Sequence, residues 1–445
     1  MIKQAEHLRA WRISPPLLLA AGFMVLILVG AGLLKLPFSL NGALSWSDAL
    51  FTSVSAVTVT GLIVTDTGTT FSFWGQLIIL LLIQAGGLGL MTFAVLALLA
   101  LGGRIRGRHQ MVASGGHNET HPRDLMQTAK EVVRLALIVE GIALVPLALV
   151  WIPEHGWLQG LWWSLFHSVS AFNNAGFTLS PDSLTGYAGN PVINAVISSL
   201  YIIGGAGFIV IVGLLDYPRT RYLNINVKVV LLGTAILSVL GTLMIFQLES
   251  DNPATLGALP NLSDQLWAAW LQATTPRTAG FNSVDIASVT QATALVLMFL
   301  MFVGAGANGT GSGIKMVTLF VLLAATWSYL RQRHTPTLFS QPLTMTSLLK
   351  AMAVTVMAVT GIFMGTLALS ITEDADLLAI AFEATSAIGT VGLTRGLTAE
   401  LSGAGQAIIM ALMFVGRLCP LAVAYLVGSA FALSDKSARS ELEIG

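Results

Sequence analysis

One local pattern occurs four times in this chain, and each copy ends in a glycine. The copies run from Phe51 through Ser55 to Gly61, from Phe166 through Ser170 to Gly176, from Trp270 through Thr274 to Gly280, and from Phe382 through Ser386 to Gly392. In each, an aromatic stands ten residues before the glycine and a hydroxyl residue six before it. Leu62, Phe177, Phe281 and Leu393 directly follow. The glycines are 115, 104 and 112 residues apart, so one unit is repeated four times along the whole chain.

With 55% hydrophobic and 10% charged residues the chain is far from a soluble domain, in which about a quarter of residues are charged. Apolar runs of the ~18–20 residues needed to cross a bilayer recur along it. The single cysteine, Cys419, excludes an internal disulfide framework and paired-cysteine metal sites.

Each unit reads as span, short apolar helix, glycine turn, span. In the first, spans at 17–36 and 73–101 flank a segment at 46–57 that is too short to cross and so enters and leaves on one side. The run from Leu17 is too long for a cleaved leader and is expected to be the first span. The second unit has spans at 129–150 and 191–215 around a short helix at 159–172. The third has a span at 227–248, a short helix at 264–275 and a long segment at 291–330. The fourth has spans at 347–371 and 405–433 around a short helix at 376–388. The expected fold is therefore an all-α polytopic membrane protein, with four tandem span–pore helix–span repeats around a pseudo-fourfold central pore. The repeats occupy 17–103, 129–217, 218–334 and 335–433. A cytoplasmic N-terminus at 1–16, a cytoplasmic loop at 104–128 and a cytoplasmic C-terminus at 434–445 complete the chain.

Charge supports this span count. Seventeen lysines and arginines fall in the segments expected on one side, against Lys35 and Arg395 on the other, where acidic residues such as Asp48, Asp66, Glu249 and Glu373 collect. The positive-inside rule puts both termini in the cytoplasm and the short helices outside.

Irregular backbone at membrane depth is tolerated only beside a cavity. The turns Thr58-Val59-Thr60-Gly61, Asn173-Asn174-Ala175-Gly176, Arg277-Thr278-Ala279-Gly280 and Gly389-Thr390-Val391-Gly392 would then wall one axis. Glycine permits a backbone conformation that turns carbonyls inward, where they replace the water around a desolvated cation. The hydroxyl six residues before each glycine would satisfy backbone donors behind the turn. The aromatic ten before it would pack the short helix. The short helices point their partially negative C-termini at the same place. The turns hold no acidic residue, which favours a weakly hydrated monovalent cation such as potassium over a divalent one.

The strings TVTGL at 58–62, NNAGF at 173–177, RTAGF at 277–281 and GTVGL at 389–393 resemble the filter turns of Ktr-type potassium transporters, in the wider Trk/Ktr/HKT superfamily. The resemblance covers about residues 15–435. It implies potassium uptake through a bacterial inner membrane, with potassium bound at the filter and no resident cofactor in this chain. It also implies a homodimer seated on a cytosolic ring of nucleotide-binding regulator subunits, the nucleotide belonging to that partner alone. Sodium stimulation is common in the family, whereas a serine in the first turn accompanies sodium selectivity in some members, so Gly61 implies potassium.

The 291–330 segment is too long for one plain crossing and carries five glycines in its middle ten residues. At about 1 kcal/mol lost per glycine, the helix should break there. Gly304, Gly306, Asn308, Gly309, Thr310, Gly311, Ser312 and Gly313 form that break, and Lys315 follows as an anchor or a snorkelling cation. The formal dinucleotide fingerprint in this stretch lacks a preceding strand and is a false positive. Arg417 stands inside the last span, 25 residues after Gly392, and the same offset from Gly280 reaches Ala305. An arginine there is costly unless it faces water or pairs. In the resembling family the break is an intramembrane gate and the arginine lies below the filter. A snorkelling arginine, or one paired with backbone carbonyls, is the alternative.

Weaker signals remain. His117 and His121 are either solvated or a metal pair, and Arg104, Arg106 and Arg108 suit lipid headgroups or a docking partner. Glu383 either bonds a neighbouring filter turn or packs between repeats, and Glu140 lies within a span. Arg277 is expected to brace carbonyls behind the filter. No nucleic-acid partner is expected. The competing functions are a symporter built on inverted repeats, which four like-oriented short helices disfavour, a sodium-selective relative, and an intramembrane enzyme. No nucleophile–base pair lies in the spans, so the chain is not expected to be an enzyme.

Overall fold

A computed structural model describes residues 15–100, 122–306, 309–333 and 335–431. His117, His121, Arg104, Arg106, Arg108 and Asn308 lie outside the described residues. The described chain is helical apart from one two-stranded hairpin, Thr337–Leu338 with Gln341–Pro342.

The first unit comprises α1 (Pro15–Leu34), the short α2 (Trp46–Val57) and α3 (Phe73–Ala100). The second comprises α4 (Pro122–His155), the short α5 (Trp157–Phe172) and a broken pair, α6 (Pro191–Ala206) and α7 (Phe208–Thr220). The third comprises α8 (Ile225–Glu249), the short α9 (Leu262–Thr274) and a second broken pair, α10 (Gln291–Phe302) and α11 (Met316–Leu330). The fourth comprises α12 (Met345–Thr372), the short α13 (Leu377–Gly389) and α14 (Gly403–Phe431). Among the described residues α1, α4, α8 and α12 are each long and apolar enough to cross a membrane.

Local signals set the ends of the short helices. The Ser45 side chain caps α2 by accepting from the Asp48 N–H at 3.0 Å, and Asp376 caps α13 by accepting from Leu378 N–H at 3.1 Å. Each cap satisfies a donor that a helix start otherwise leaves open. Acids at the ends of the long helices tie them to the next span. The buried Glu249 accepts from the N–H and hydroxyl of Thr290, both at 2.9 Å, and Glu373 accepts from the Ser402 N–H at 3.0 Å and its hydroxyl at 2.5 Å. Partial burial works against the Glu373 carboxylate, but the hydrogen bonds from Ser402, Thr372 and Gly405 together outweigh it and hold the carboxyl below its ordinary range.

The apolar clusters join one unit to the next. Phe51, Val59 and Leu62 pack with Phe177 of the second unit and with Ile380 and Ala387 of the fourth. Trp151, Phe172 and Tyr201 pack with Ala279 and Phe281 of the third. Leu297 and Val284 pack with Phe382, Val391 and Leu393 of the fourth. The bulky residue after a glycine thus enters the cluster of the preceding unit. Van der Waals packing of this kind, rather than exclusion from water, holds helices together in lipid. The opposite faces are left apolar and exposed, as at Ile142, Leu149, Val239 and Phe363.

The span expected at 191–215 is made of two helices. The helix bends by 98° between α6 and α7. Gly204, Gly205 and Gly207 weaken it there, and Gly207 takes φ +91°, ψ 158°, a region open in practice only to glycine. The bend takes the carbonyls of Gly204 and Gly205 out of the helical ladder, and both accept from N–H groups of the next unit.

Candidate functional site

The four glycines adjoin one another in a closed order. A Cβ on Gly61 would strike the carbonyl of Ala175 and lie 3.1 Å from the Gly176 Cα. One on Gly176 would lie 2.9 Å from both Ala279 O and the Gly280 Cα. One on Gly280 would lie 2.5 Å from Val391 O and 3.4 Å from the Gly392 Cα, and one on Gly392 would strike Thr60 O and lie 3.1 Å from the Gly61 Cα. The sequence from the first glycine to the fourth therefore returns to the first. All four have positive φ, at +91°, +68°, +81° and +94°.

Two residues before each glycine stands another left-handed residue: Val59, Asn174, Thr278 and Thr390, with φ between 46° and 76°. Such a conformation costs a side-chain-bearing residue about 1–2 kcal/mol, so tertiary contacts must hold it four times over. Alternating backbone hand turns the N–H groups back toward the short helix. Thr60 N–H donates to Ser55 O at 2.8 Å, Ala175 N–H to Ser170 O at 2.8 Å, and Val391 N–H to Ser386 O at 2.9 Å. The third turn differs in register, with Ala279 N–H donating to Thr275 O at 2.9 Å. Among the described residues none of the carbonyls of Thr58, Val59, Thr60, Asn173, Asn174, Ala175, Arg277, Thr278, Ala279, Gly389, Thr390 and Val391 accepts a hydrogen bond. Buried carbonyls are rarely left so.

The hydroxyl expected behind each turn braces only two of them. Ser55 accepts from the Gly61 N–H at 3.0 Å and Ser386 from the Gly392 N–H at 3.1 Å. Ser170 donates to Phe177 O at 2.8 Å, and Thr274 donates to Trp270 O at 2.8 Å and meets the Tyr201 hydroxyl at 2.5 Å. The aromatic ten residues before the glycine is fully buried at Phe51, Phe166 and Phe382, while Trp270 is partly buried and donates to the Ser198 hydroxyl at 3.1 Å.

The role expected of Arg277 is corrected, and one of the two alternatives for Glu383 is set aside. Arg277 donates from Nη2 to the Ser238 hydroxyl on α8 at 2.8 Å, not to filter carbonyls, because it points outward from the turn. Glu383 bonds its own unit, not a neighbouring turn. It accepts from the Thr394 hydroxyl, from Arg395 N–H at 3.2 Å and from the Thr398 hydroxyl at 2.6 Å. These donors follow Gly392 in sequence, and that stretch folds back onto α13. Glu140 accepts from Gln84 Nε2 at 3.1 Å and from Asn173 Nδ2 at 3.4 Å, and Asn173 also donates to Gln84 Oε1 at 2.6 Å. Sequence reading missed this triangle, since no spacing rule links Gln84 to residues on other elements.

The third unit's long segment breaks between α10 and α11. Its ends pair, with Gly304 N–H donating to Ile314 O at 2.9 Å and Met316 N–H to Ala305 O at 3.1 Å. Gly306 N–H donates to Gly205 O at 2.9 Å and Thr310 N–H to Gly204 O at 3.1 Å, so one broken helix is completed by the other. A Cβ on Gly309 would strike Gly205 O, and one on Gly311 would strike the Thr278 hydroxyl of the third turn. Two cations reach the loop. Arg417, 1% exposed, donates from Nη1 to Thr310 O and to the Ser312 hydroxyl at 3.0 Å, and Lys315 donates to Gly311 O at 2.5 Å. Lys315 thus anchors the loop rather than leaving it. Among the described residues no three His, Cys, Asp or Glu side chains group as metal ligands.

The family model TrkH, a cation transport protein, matches residues 24–434. The chain is 44% identical to Ktr system potassium uptake protein B of Bacillus subtilis, over 98% of this chain and 97% of that one. It is 35% identical to potassium/sodium uptake protein NtpJ of Enterococcus hirae, over 97% and 95% of the two chains. The crystal structure of the potassium transporter TrkH from Vibrio parahaemolyticus superposes with a TM-score of 0.75 at 20% identity, covering 96% of this chain and 86% of that one, a likeness of fold. With the match spanning nearly its whole length, the chain belongs to the TrkH family of cation transport proteins, among relatives of the Ktr potassium uptake type.

Proposed function

We propose that this protein takes up potassium across a cell membrane through a channel-like pore whose narrowest part is the ring of four glycine turns. The single observation behind this reading is that the ring closes while its carbonyls accept no hydrogen bond among the described residues. Main-chain oxygens in that state can replace the water a potassium ion sheds. Four short helices end at the ring, so their partially negative C-termini add to the attraction. The names of the relatives, potassium uptake proteins at 44% and 40% identity, support the same cargo.

The 304–313 loop acts as a gate on the cytoplasmic side of the filter. Arg417 sets a positive barrier there, and both cations hold the loop across the path by taking its carbonyls. Opening requires Gly306 to leave the Gly205 carbonyl, and a cytosolic nucleotide-binding partner supplies that work in a homodimeric assembly with both termini cytoplasmic. Sodium stimulates uptake in this reading. The test is rubidium uptake by a potassium-auxotrophic host expressing the chain with and without the regulator, at several sodium concentrations. Growth rescue and rubidium uptake that rubidium's competitor potassium suppresses are expected. Uptake that sodium suppresses equally well would favour a sodium-selective relative.

A further inference from the structure

We infer that Thr310, a residue of the gate loop, is also a specificity-determining residue of the filter, because it braces the second turn in place of that turn's own serine. The inference rests on the proposed roles of turns and loop. Turns one and four hold their glycine N–H with Ser55 and Ser386. In the second turn Ser170 is engaged with Phe177 O, and among the described residues the Gly176 N–H has no such partner. Instead the Thr310 hydroxyl donates to Asn174 Oδ1 at 2.8 Å and lies 3.3 Å from Phe172 O, the last carbonyl of α5.

Asn174 is the residue of this turn held at φ 58°, and its Nδ2 donates to the Thr278 hydroxyl of the third turn at 3.4 Å. Val59, at the same place in the first turn, has no polar side chain, and the Thr390 hydroxyl of the fourth has no partner among the described residues. Asn174 is therefore the left-handed residue through which a side-chain bond ties two turns to each other and to the loop. Thr310 is fully buried, and its other bonds go to Gly204 O through its N–H and from Arg417 to its carbonyl. These bonds keep the hydroxyl at Asn174 while the Gly306 side of the loop moves, so the brace, and with it the ring's choice of ion, persists when the gate is open.

The test compares initial potassium and sodium uptake in a potassium-auxotrophic host carrying the full chain. Thr310→Val keeps the shape and removes the donor. It is expected to lower the potassium-to-sodium ratio by about fivefold, the scale on which one hydrogen bond moves an equilibrium. Thr310→Ser is expected to rescue the ratio. Thr310→Ala, which cannot clash, is measured alongside and is expected to follow Thr310→Val. A change of both fluxes by one factor, with the ratio intact in Thr310→Val and Thr310→Ala, would overturn the inference and leave Thr310 a gating contact. So would failure of Thr310→Ser to rescue. Gly61→Ser in the same assay separates the two layers. If it leaves the ratio intact, the turns do not select and the underlying reading fails. If it lowers the ratio while Thr310→Val does not, only the brace fails.

Discussion

The four turns and the 304–313 loop both set glycine-spaced carbonyls before a positive charge, and they differ in whose charge it is. In the turns the carbonyls accept no hydrogen bond among the described residues. In the loop, Thr310 O is taken by the Arg417 guanidinium and Gly311 O by the Lys315 ammonium. Glycine itself has a different task in each place. All four turn glycines have positive φ, whereas in the loop Gly313 does and Gly304, Gly306, Gly309 and Gly311 do not. Gly304, Gly306 and Gly309 admit close backbone approach instead, while Gly311 makes room for the Thr278 hydroxyl: a Cβ on Gly304 would strike Ser312 O, and one on Gly306 would strike Ala206 O. In the proposed function, the carbonyl set left open passes a mobile cation and the set filled by tethered cations closes the path.

This contrast is most exposed to substitution of the glycines themselves. Gly280→Ala forces both an unfavourable φ and a collision with Val391 O, so rubidium uptake should fall by more than about tenfold, given ~1–2 kcal/mol for the backbone alone. Gly309→Ala collides only with the Gly205 carbonyl and loosens the loop. Uptake should rise several-fold in the absence of the regulator. Equal loss of uptake in both variants would erase the distinction. Arg417→Gln removes the tethered charge and keeps a donor for Thr310 O. A smaller rise in maximal rate is expected, about two- to fivefold, the scale on which a charge-assisted hydrogen bond exceeds the neutral one that Gln keeps, and an unchanged rate would argue against a barrier there.

The smallest effect lies outside the membrane at Glu373. Its carboxyl titrates below its ordinary range in the folded protein, so the stability it contributes is present above the unfolded value and lost as pH falls through the folded one. Glu373→Gln should flatten the acid side of a thermal-unfolding profile in detergent, with uptake near neutral pH little changed.

Much of this was legible in the sequence because the repeat is written in local spacing. Phe51, Ser55 and Gly61 lie on one short helix and its turn, and 46–57 is the extent of α2 in the structure. The five-glycine stretch gave the break between α10 and α11 by composition alone. The same argument applied to Gly204, Gly205 and Gly207 would have found the bend at α6, but the uninterrupted apolar run on both sides hid it. Contacts between units were not legible. Thr310 and Asn174 are 136 residues apart, Gln84 and Asn173 are 89 apart, and only closure of the units about one another brings them together. Arg277 could be placed in a turn but not aimed, because its direction depends on the shifted register of the third turn, which Pro276 sets apart from the other three.

The central claim is that open main-chain oxygens around Gly61, Gly176, Gly280 and Gly392 hold the permeating ion. Anomalous diffraction from crystals of the full chain grown in rubidium tests it most directly. A rubidium peak is expected within the ring, with the carbonyls of the four turns as its nearest ligands. A ring empty of rubidium, with the ion instead at the outer carboxylates or beside the loop, would contradict it.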